Sequence, residues 1–131
     1  MARKVTPHLM FEGAAEEAMN FYVSLFEGAE ITHIERWGPG EPGAEGSFKR
    51  ATFRLKDQEL ICLNSPVQHG FTFTPSFSLF VECESEAELD ELFSKLADGG
   101  AVLMPPANHG FSTRFCWLND RFGVSWQLNF Q

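Results

Sequence analysis

Apolar residues recur in the same pattern at two places in the chain. In each place they follow the spacing i, i+3, i+4, i+7, which puts one apolar stripe along a helix. Each helical segment follows a short apolar run typical of a strand, and further strand-like runs come after it. The pattern therefore predicts two copies of one βαβββ module. The two stripes are Ala18, Phe21, Tyr22 and Leu25, and then Leu89, Leu92, Phe93 and Leu96.

Two modules of this kind predict an α+β fold within a single domain, residues 1–131. We expect one cupped mixed β-sheet of eight strands, with a helix packed behind each half. Module one covers about residues 1–66, the linker about 67–75, and module two about 76–131. Strands are predicted at 5–11, 30–37, 48–56, 59–64, 76–82, 101–104, 111–118 and 124–130, and helices at 13–26 and 85–99.

Four of the strands alternate between apolar side chains and small or polar ones. Alternate residues of a strand point to opposite faces of the sheet. We expect the apolar faces to pack on the helices and the polar faces to line a groove open to a ligand. The alternative is that the polar faces are simply solvated. The polar faces are assigned His8 of the first strand, Cys62 and Asn64 of the fourth, Ser76 and Ser78 of the fifth, and Gln127 of the eighth.

Composition excludes some classes of partner. Hydrophobic residues make up 44% of the chain and include 14 phenylalanines, enough for a core and an apolar pocket. The 10 basic and 18 acidic residues give a net charge of −8, which repels nucleic acid and anionic membranes. No apolar run approaches the ~20 residues that cross a bilayer.

The cysteines indicate a reducing compartment. Cys62, Cys83 and Cys116 are odd in number, far apart and without a C-x-x-C motif. The first residues lead straight into a strand, with no apolar signal core. We therefore expect reduced, partly buried thiols in a cytoplasmic protein.

Two segments resemble a known superfamily. The first contains Pro7-His-Leu-Met-Phe11, Ala15-Glu-Glu-Ala18 and Asn20-Phe-Tyr22, and the second is Asn119-Asp-Arg-Phe-Gly-Val-Ser-Trp-Gln-Leu128. They resemble the opening and the last strand of vicinal oxygen chelate proteins, the glyoxalase, bleomycin-resistance and dioxygenase superfamily. The whole chain looks most like the PhnB-like branch, labelled 3-demethylubiquinone-9 3-methyltransferase. Many chemistries share this fold, so the resemblance implies a fold rather than a reaction.

The resemblance also carries over the usual metal positions, one on each of four strands. They fall on His8, on Cys62 or its neighbour Asn64, on Ser76, where histidine is common, and on Gln127, where glutamate is common. This set offers one imidazole and no carboxylate, whereas catalytic divalent sites use several such ligands. We therefore expect no metal and no other cofactor. The five residues are interpreted as binding a small, partly apolar organic ligand directly.

Two other interpretations stay open, and the sequence does not decide whether the protein is an enzyme. One is a metal-dependent lyase, isomerase or dioxygenase with His8 and Gln127 as ligands. The other is a structural or interaction module without a ligand. Members of the superfamily commonly pair, so a homodimer is expected.

Other motifs contribute little to the functional interpretation. Gly38-x-Gly40-x-x-Gly43 matches a dinucleotide fingerprint as a string, but no helix follows it, and no other glycine-rich turn suits a methyl-donor cofactor. The repeated tripeptides at His69 and His109 fit ordinary turns better than an aromatic lid. Arg114 would be an anion anchor if its strand turned that side chain into the groove.

Overall fold

A computed structural model describes all residues from Met1 to Gln131. It confirms an α+β fold of two βαβββ modules. The first module contains β1 (His8–Phe11), α1 (Ala15–Leu25), β2 (Glu30–Arg36), β3 (Phe48–Leu55) and β4 (Gln58–Asn64). The second contains β5 (Ser78–Glu82), α2 (Glu86–Ala97), β6 (Ala101–Ala107), β7 (Arg114–Asn119) and β8 (Ser125–Phe130).

The chain divides into two compact units, Met1–Gly70 and Phe71–Gln131, and the division falls inside the predicted linker. Hydrogen bonds join the strands into two four-stranded sheets, one in each unit, where the sequence indicated one sheet of eight. The orders are β1-β4-β3-β2 and β5-β8-β7-β6. In each sheet the first strand of the module lies parallel to the last, and the other pairs are antiparallel.

In the first unit α1 packs against β3 and β4. The apolar stripe of the helix meets one face of the sheet, and burying these side chains provides the main stabilisation of the unit. Ala18 and Tyr22 of the predicted stripe are buried, while Phe21 and Leu25 are half-buried. The buried side chains of the sheet on this side are Leu9, Phe11, Ala51, Phe53, Leu55, Leu60 and Cys62.

In the second unit α2 packs against β6, β7 and β8 through Leu89, Leu92 and Leu96. Two side-chain hydrogen bonds fix the start of α2. Ser85 Oγ accepts a hydrogen bond from Glu88 N at 3.0 Å, and Glu88 Oε1 accepts one from Glu84 N at 2.8 Å. The first bond satisfies an amide of the first helical turn, and the second holds the residue before the N-cap Ser85.

The prediction that β6 ends before Pro105-Pro106 is wrong, since the strand continues to Ala107. β6 is an edge strand of its sheet, and its register shifts between Met104 and Ala107. An edge strand with a bulge tolerates prolines because one side of its backbone needs no partner within the sheet.

The loop between β2 and β3 folds over Trp37. A Cβ placed on Gly43 would lie 2.3 Å from the Trp37 ring, so only glycine fits there. Lys49 Nζ lies 5.0 Å from the centre of the same ring, within the range of a cation–π contact. Nowhere in the chain is a helix long and apolar enough to cross a membrane.

Candidate functional site

The register of the first sheet places Cys62 and Asn64 on the side of α1. In a parallel pair, facing residues point the same way, and β1 pairs Leu9 with Cys62 and Phe11 with Asn64. Leu9 and Phe11 are buried beneath the helix. The assignment of Cys62 and Asn64 to the face of His8 is therefore wrong.

Asn64 has a structural task in the first unit. The N-cap residue of α1, Ala14, makes no side-chain cap. Asn64 Oδ1 takes that place by accepting hydrogen bonds from Gly13 N at 3.2 Å and from Ala15 N at 2.9 Å. The amide thus caps a helix start from a distant strand.

Cys62 is a buried core residue. Its side chain is 1% exposed, and burial raises the pKa of its thiol to about 12. Burial likewise raises the pKa of the Cys83 thiol to about 11 and that of Cys116 to about 12. All three cysteines are free and stay protonated at neutral pH, so none supplies a thiolate.

His8 lies on the opposite face of the first sheet, which α1 does not cover. It is exposed and pairs with Ile61, and the next residues on this face are Met10 and Leu63, a second facing pair. The apolar members are half-buried. His8 is thus a polar residue at the end of an apolar strip.

In the second unit the residue that corresponds to His8 is Ser78, because each is the first residue of the parallel edge strand of its sheet. Ser76 lies in the turn before β5, where it is exposed and its Oγ lies 2.7 Å from Thr74 Oγ. The sequence carried a signal for this, since His8-Leu-Met-Phe11 aligns with Ser78-Leu-Phe-Val81 more naturally than with a stretch that begins at Ser76.

Four polar side chains of the second sheet form one hydrogen-bonded group, which we call the Ser78 network. Trp117 Nε1 donates to Ser125 Oγ at 2.9 Å, and Gln127 Nε2 donates to Ser78 Oγ at 3.3 Å. The two serine oxygens lie 2.6 Å apart. The group therefore links three neighbouring strands on the face away from α2.

The two serines of the Ser78 network differ in exposure. Each hydroxyl has one proton, and either oxygen can be the donor of the bond between them. Ser125 is 1% exposed, whereas Ser78 is half-buried at the start of the edge strand β5. Ser78 is therefore the hydroxyl of the pair that a ligand can reach.

Aromatic rings lie on the same face of the second sheet. Phe80 pairs with Gln127 across β5 and β8 and is 55% exposed. Phe115 faces Asn129 and holds the Phe111 ring at 4.8 Å between centres. His109 stacks on Phe111, and its Nε2 lies 2.8 Å from the Pro105 carbonyl oxygen. The segment around His109 is thus a turn held by contacts within itself, as the sequence predicts.

Arg114 is not available to this face. It lies on the side of α2, where its Nε donates to Asp90 Oδ1 at 2.7 Å. The structure settles the orientation that the sequence left open, and Arg114 is not the anion anchor.

The side chains at the usual metal positions do not fit a divalent cation. Cys62 and Asn64 point to the helix, and the remaining donors are one imidazole, a hydroxyl and an amide. Such neutral oxygen donors compensate poorly for the lost hydration of a metal ion. Neither unit contains a group of three or more His, Cys, Asp and Glu side chains that could hold one.

Two units of βαβββ define the class of fold, that of the glyoxalase and bleomycin-resistance proteins. Within this class, residues 3–129 match the family model of the 3-demethylubiquinone-9 3-methyltransferase domain. The chain belongs to that PhnB-like family. No curated protein matches the chain.

Solved structures agree with this assignment. The PhnB protein of Bacillus cereus, which carries the same family description, is 55% identical with a TM-score of 0.93, over 98% of this chain and 100% of that one. Protein PA1353 from Pseudomonas aeruginosa is 26% identical with a TM-score of 0.84, over 99% and 98%. The fosfomycin resistance protein FosX from Mesorhizobium loti is 11% identical with a TM-score of 0.63, over 100% and 94%, and shares the fold alone.

Proposed function

We propose that the protein binds a small, partly apolar organic ligand without a metal, through the Ser78 network of the second unit. The observation that carries the proposal is the half-buried hydroxyl of Ser78, which is hydrogen-bonded to Ser125 and Gln127 on the face away from α2. A hydroxyl can donate to the carbonyl or a similar neutral acceptor of a ligand.

The exposed rings favour a flat ligand. Phe80 stands beside Gln127 on the same face, and Trp117 gives its N–H to the network while its ring remains half-buried. Aromatic faces pack well on flat apolar groups. His8 is the corresponding polar residue of the first unit and offers an imidazole as donor or acceptor.

Benzamide is a suitable probe because it is flat, neutral and carries a carbonyl. In an NMR titration of ¹⁵N-labelled protein, we expect it to move the Trp117 indole signal and the Gln127 side-chain amide signals. Ser78→Ala removes one neutral hydrogen bond, worth about 1 kcal/mol, and should weaken benzamide about fivefold.

The matched control is Ser76→Ala, which removes the same hydroxyl two residues earlier, in an exposed turn outside β5. It should bind benzamide as the parent protein does. Equal affinity in the parent protein and in Ser78→Ala would contradict the proposal.

The two alternatives give different results. A metal-dependent lyase, isomerase or dioxygenase would retain a stoichiometric divalent ion after purification without chelators, and His8→Ala would release it. A structural or interaction module would show no change in melting temperature with any small ligand. We also propose a homodimer in the cytoplasm, and the molar mass in solution tests the dimer.

A further inference from the structure

The open face of the first sheet, the side away from α1, combines apolar and basic groups. Register fixes its members, because Arg50 faces Leu63 across β3 and β4, and Leu63 in turn faces Met10 of β1. A second row of facing residues lies beside this one and consists of Thr52, Ile61 and His8. The side chains of β1, β3 and β4 on this face include His8, Met10, Arg50, Thr52, Arg54, Glu59, Ile61 and Leu63, and the carboxylate of Glu59 is paired with Lys4.

Arg50 is the basic residue of this face that lacks an acidic partner. Across β2 its neighbour is Glu35, but the carboxylate of Glu35 lies 3.6 Å from His33 Nε2. Arg54, on the same strand, is paired with Glu30 at 2.8 Å. The guanidinium of Arg50 is exposed and makes no hydrogen bond or ion pair within the chain.

An unpaired guanidinium beside half-buried apolar side chains is a suitable contact for one kind of ligand. The planar fork of arginine binds a carboxylate with two parallel hydrogen bonds. The apolar body of the same ligand would cover Met10, Ile61 and Leu63, whose apolar surface gains from leaving water. A net charge of −8 opposes a dianion such as a phosphate monoester more strongly than a carboxylate monoanion, so the carboxylate is the better match of the two.

We propose that the open face of the first sheet binds small carboxylates with an apolar body, and that Arg50 holds the carboxylate. The proposal stands on the first unit alone and does not use the Ser78 network. The guanidinium of Arg50 gives the first unit a preference for negatively charged ligands, which the neutral hydrogen-bond donors of the Ser78 network do not provide.

Benzoate tests the proposal in an NMR titration of the ¹⁵N-labelled protein. We expect benzoate to move the Arg50 Nε–H signal and the backbone amides of Met10 and Leu63. Arg50→Gln should weaken benzoate about tenfold or more, because a charge-assisted pair of hydrogen bonds is lost. Arg50→Lys keeps the charge but lacks the planar guanidinium, so its affinity for benzoate should lie between those of the parent protein and Arg50→Gln.

Arg3→Gln is the matched control, since Arg3 is also exposed and unpaired but lies in the segment before β1. It changes the net charge equally and should leave benzoate affinity intact. Equal weakening by both variants, or no response at Met10 and Leu63, would overturn the proposal.

Benzamide separates this proposal from the Ser78 network. Benzamide that moves Trp117 and Gln127 while benzoate leaves the first unit unchanged supports the proposed function and overturns the carboxylate site. If benzoate moves the signals of the first unit while benzamide leaves Trp117 and Gln127 unchanged, the carboxylate site is supported and the proposed binding at the Ser78 network is contradicted.

Discussion

Asn64 and Asp120 each have a side-chain oxygen that accepts hydrogen bonds from backbone amides outside the regular helices and strands. Asn64 caps α1 from β4. Asp120, which is 3% exposed, accepts hydrogen bonds from Phe122 N at 2.8 Å, Val124 N at 3.0 Å and the indole of Trp126 at 2.9 Å. Both residues hold the chain where a helix or a strand begins, and unpaired amides at such places are costly.

Replacing Asn64 tests its role as a cap. Asn64→Ala leaves the Gly13 and Ala15 amides without their acceptor and should lower the free energy of unfolding by about 1–3 kcal/mol. Asn64→Asp keeps the acceptor and places a negative charge near a helix N-terminus, so it should retain most of the stability. Urea unfolding measures both changes.

Asn20→Ala is the control, because Asn20 is an exposed residue of α1. It should leave stability unchanged or slightly raised, as alanine favours helix. A loss in Asn64→Asp as large as in Asn64→Ala would contradict the role of Oδ1 as acceptor, because aspartate keeps both that oxygen and the shape of the side chain.

Among the elements, β4 and β6 show where hydrophobic patterns mislead. Leu60 to Leu63 is a continuous apolar run, counting the thiol, so alternation does not tell which side faces the helix. The sequence assigns Cys62 to the groove and Asn64 to a ligand contact, whereas in the structure Cys62 is a core residue and Asn64 caps α1. The prolines of β6 indicated an end to the strand, whereas the edge position and the bulge of β6 accommodate them.

The junction of α2 and β6 depends on Gly100. A Cβ at this residue would lie 2.1 Å from the Asn119 carbonyl oxygen and 2.9 Å from the carbonyl carbon of Asp120. Gly100→Ala therefore forces two backbone segments apart and should cost more than about 2 kcal/mol of stability. Thermal unfolding measures the loss.

Gly70→Ala is the matched control, since a Cβ at Gly70 meets nothing within 4 Å and its φ is not positive. Its melting temperature should stay close to that of the parent protein. An equal change in both variants would show that the close approach at Gly100 relaxes at little cost.

At the scale of the whole molecule, the duplicated helical stripe predicted the topology correctly because each module buries its own helix stripe against its own sheet. The candidate site was less accessible to sequence reasoning. The clear alternation of β8 predicts the face on which Gln127 lies. The sequence also predicts the face of Ser78 correctly but favours Ser76 as the ligand contact, since only the start of β5 distinguishes the two serines. Arg50 has no acidic partner because the carboxylate of Glu35 turns towards His33. The spacing of residues along the sequence does not predict that orientation.

The three buried thiols make stability depend on alkaline pH. Their pKa values lie at about 12, 11 and 12 in the folded chain, above the ordinary 9.0. Below pH 9 they are protonated in both states, so their full contribution is present. As pH rises from 9 towards 11 the unfolded thiols ionise first, and each lowers the free energy of unfolding by up to about 1.4 kcal/mol per pH unit.

Urea unfolding at pH 8, 9 and 10 checks this dependence. Cys116→Ala loses packing at every pH, but its stability should fall less steeply with pH than that of the parent protein. Parallel pH curves for the two proteins would contradict the role of the thiol.

The loop folded over Trp37 gives the molecule a native optical reporter. Trp37 is the one indole in residues 1–70, while Trp117 and Trp126 belong to the second unit. Its ring is half-buried beside an ammonium group, whereas Trp126 is enclosed at 1% exposure. Because the wavelength of indole emission depends on the polarity of its surroundings, Trp37 reports on the first unit and the other two indoles report on the second, without an attached dye.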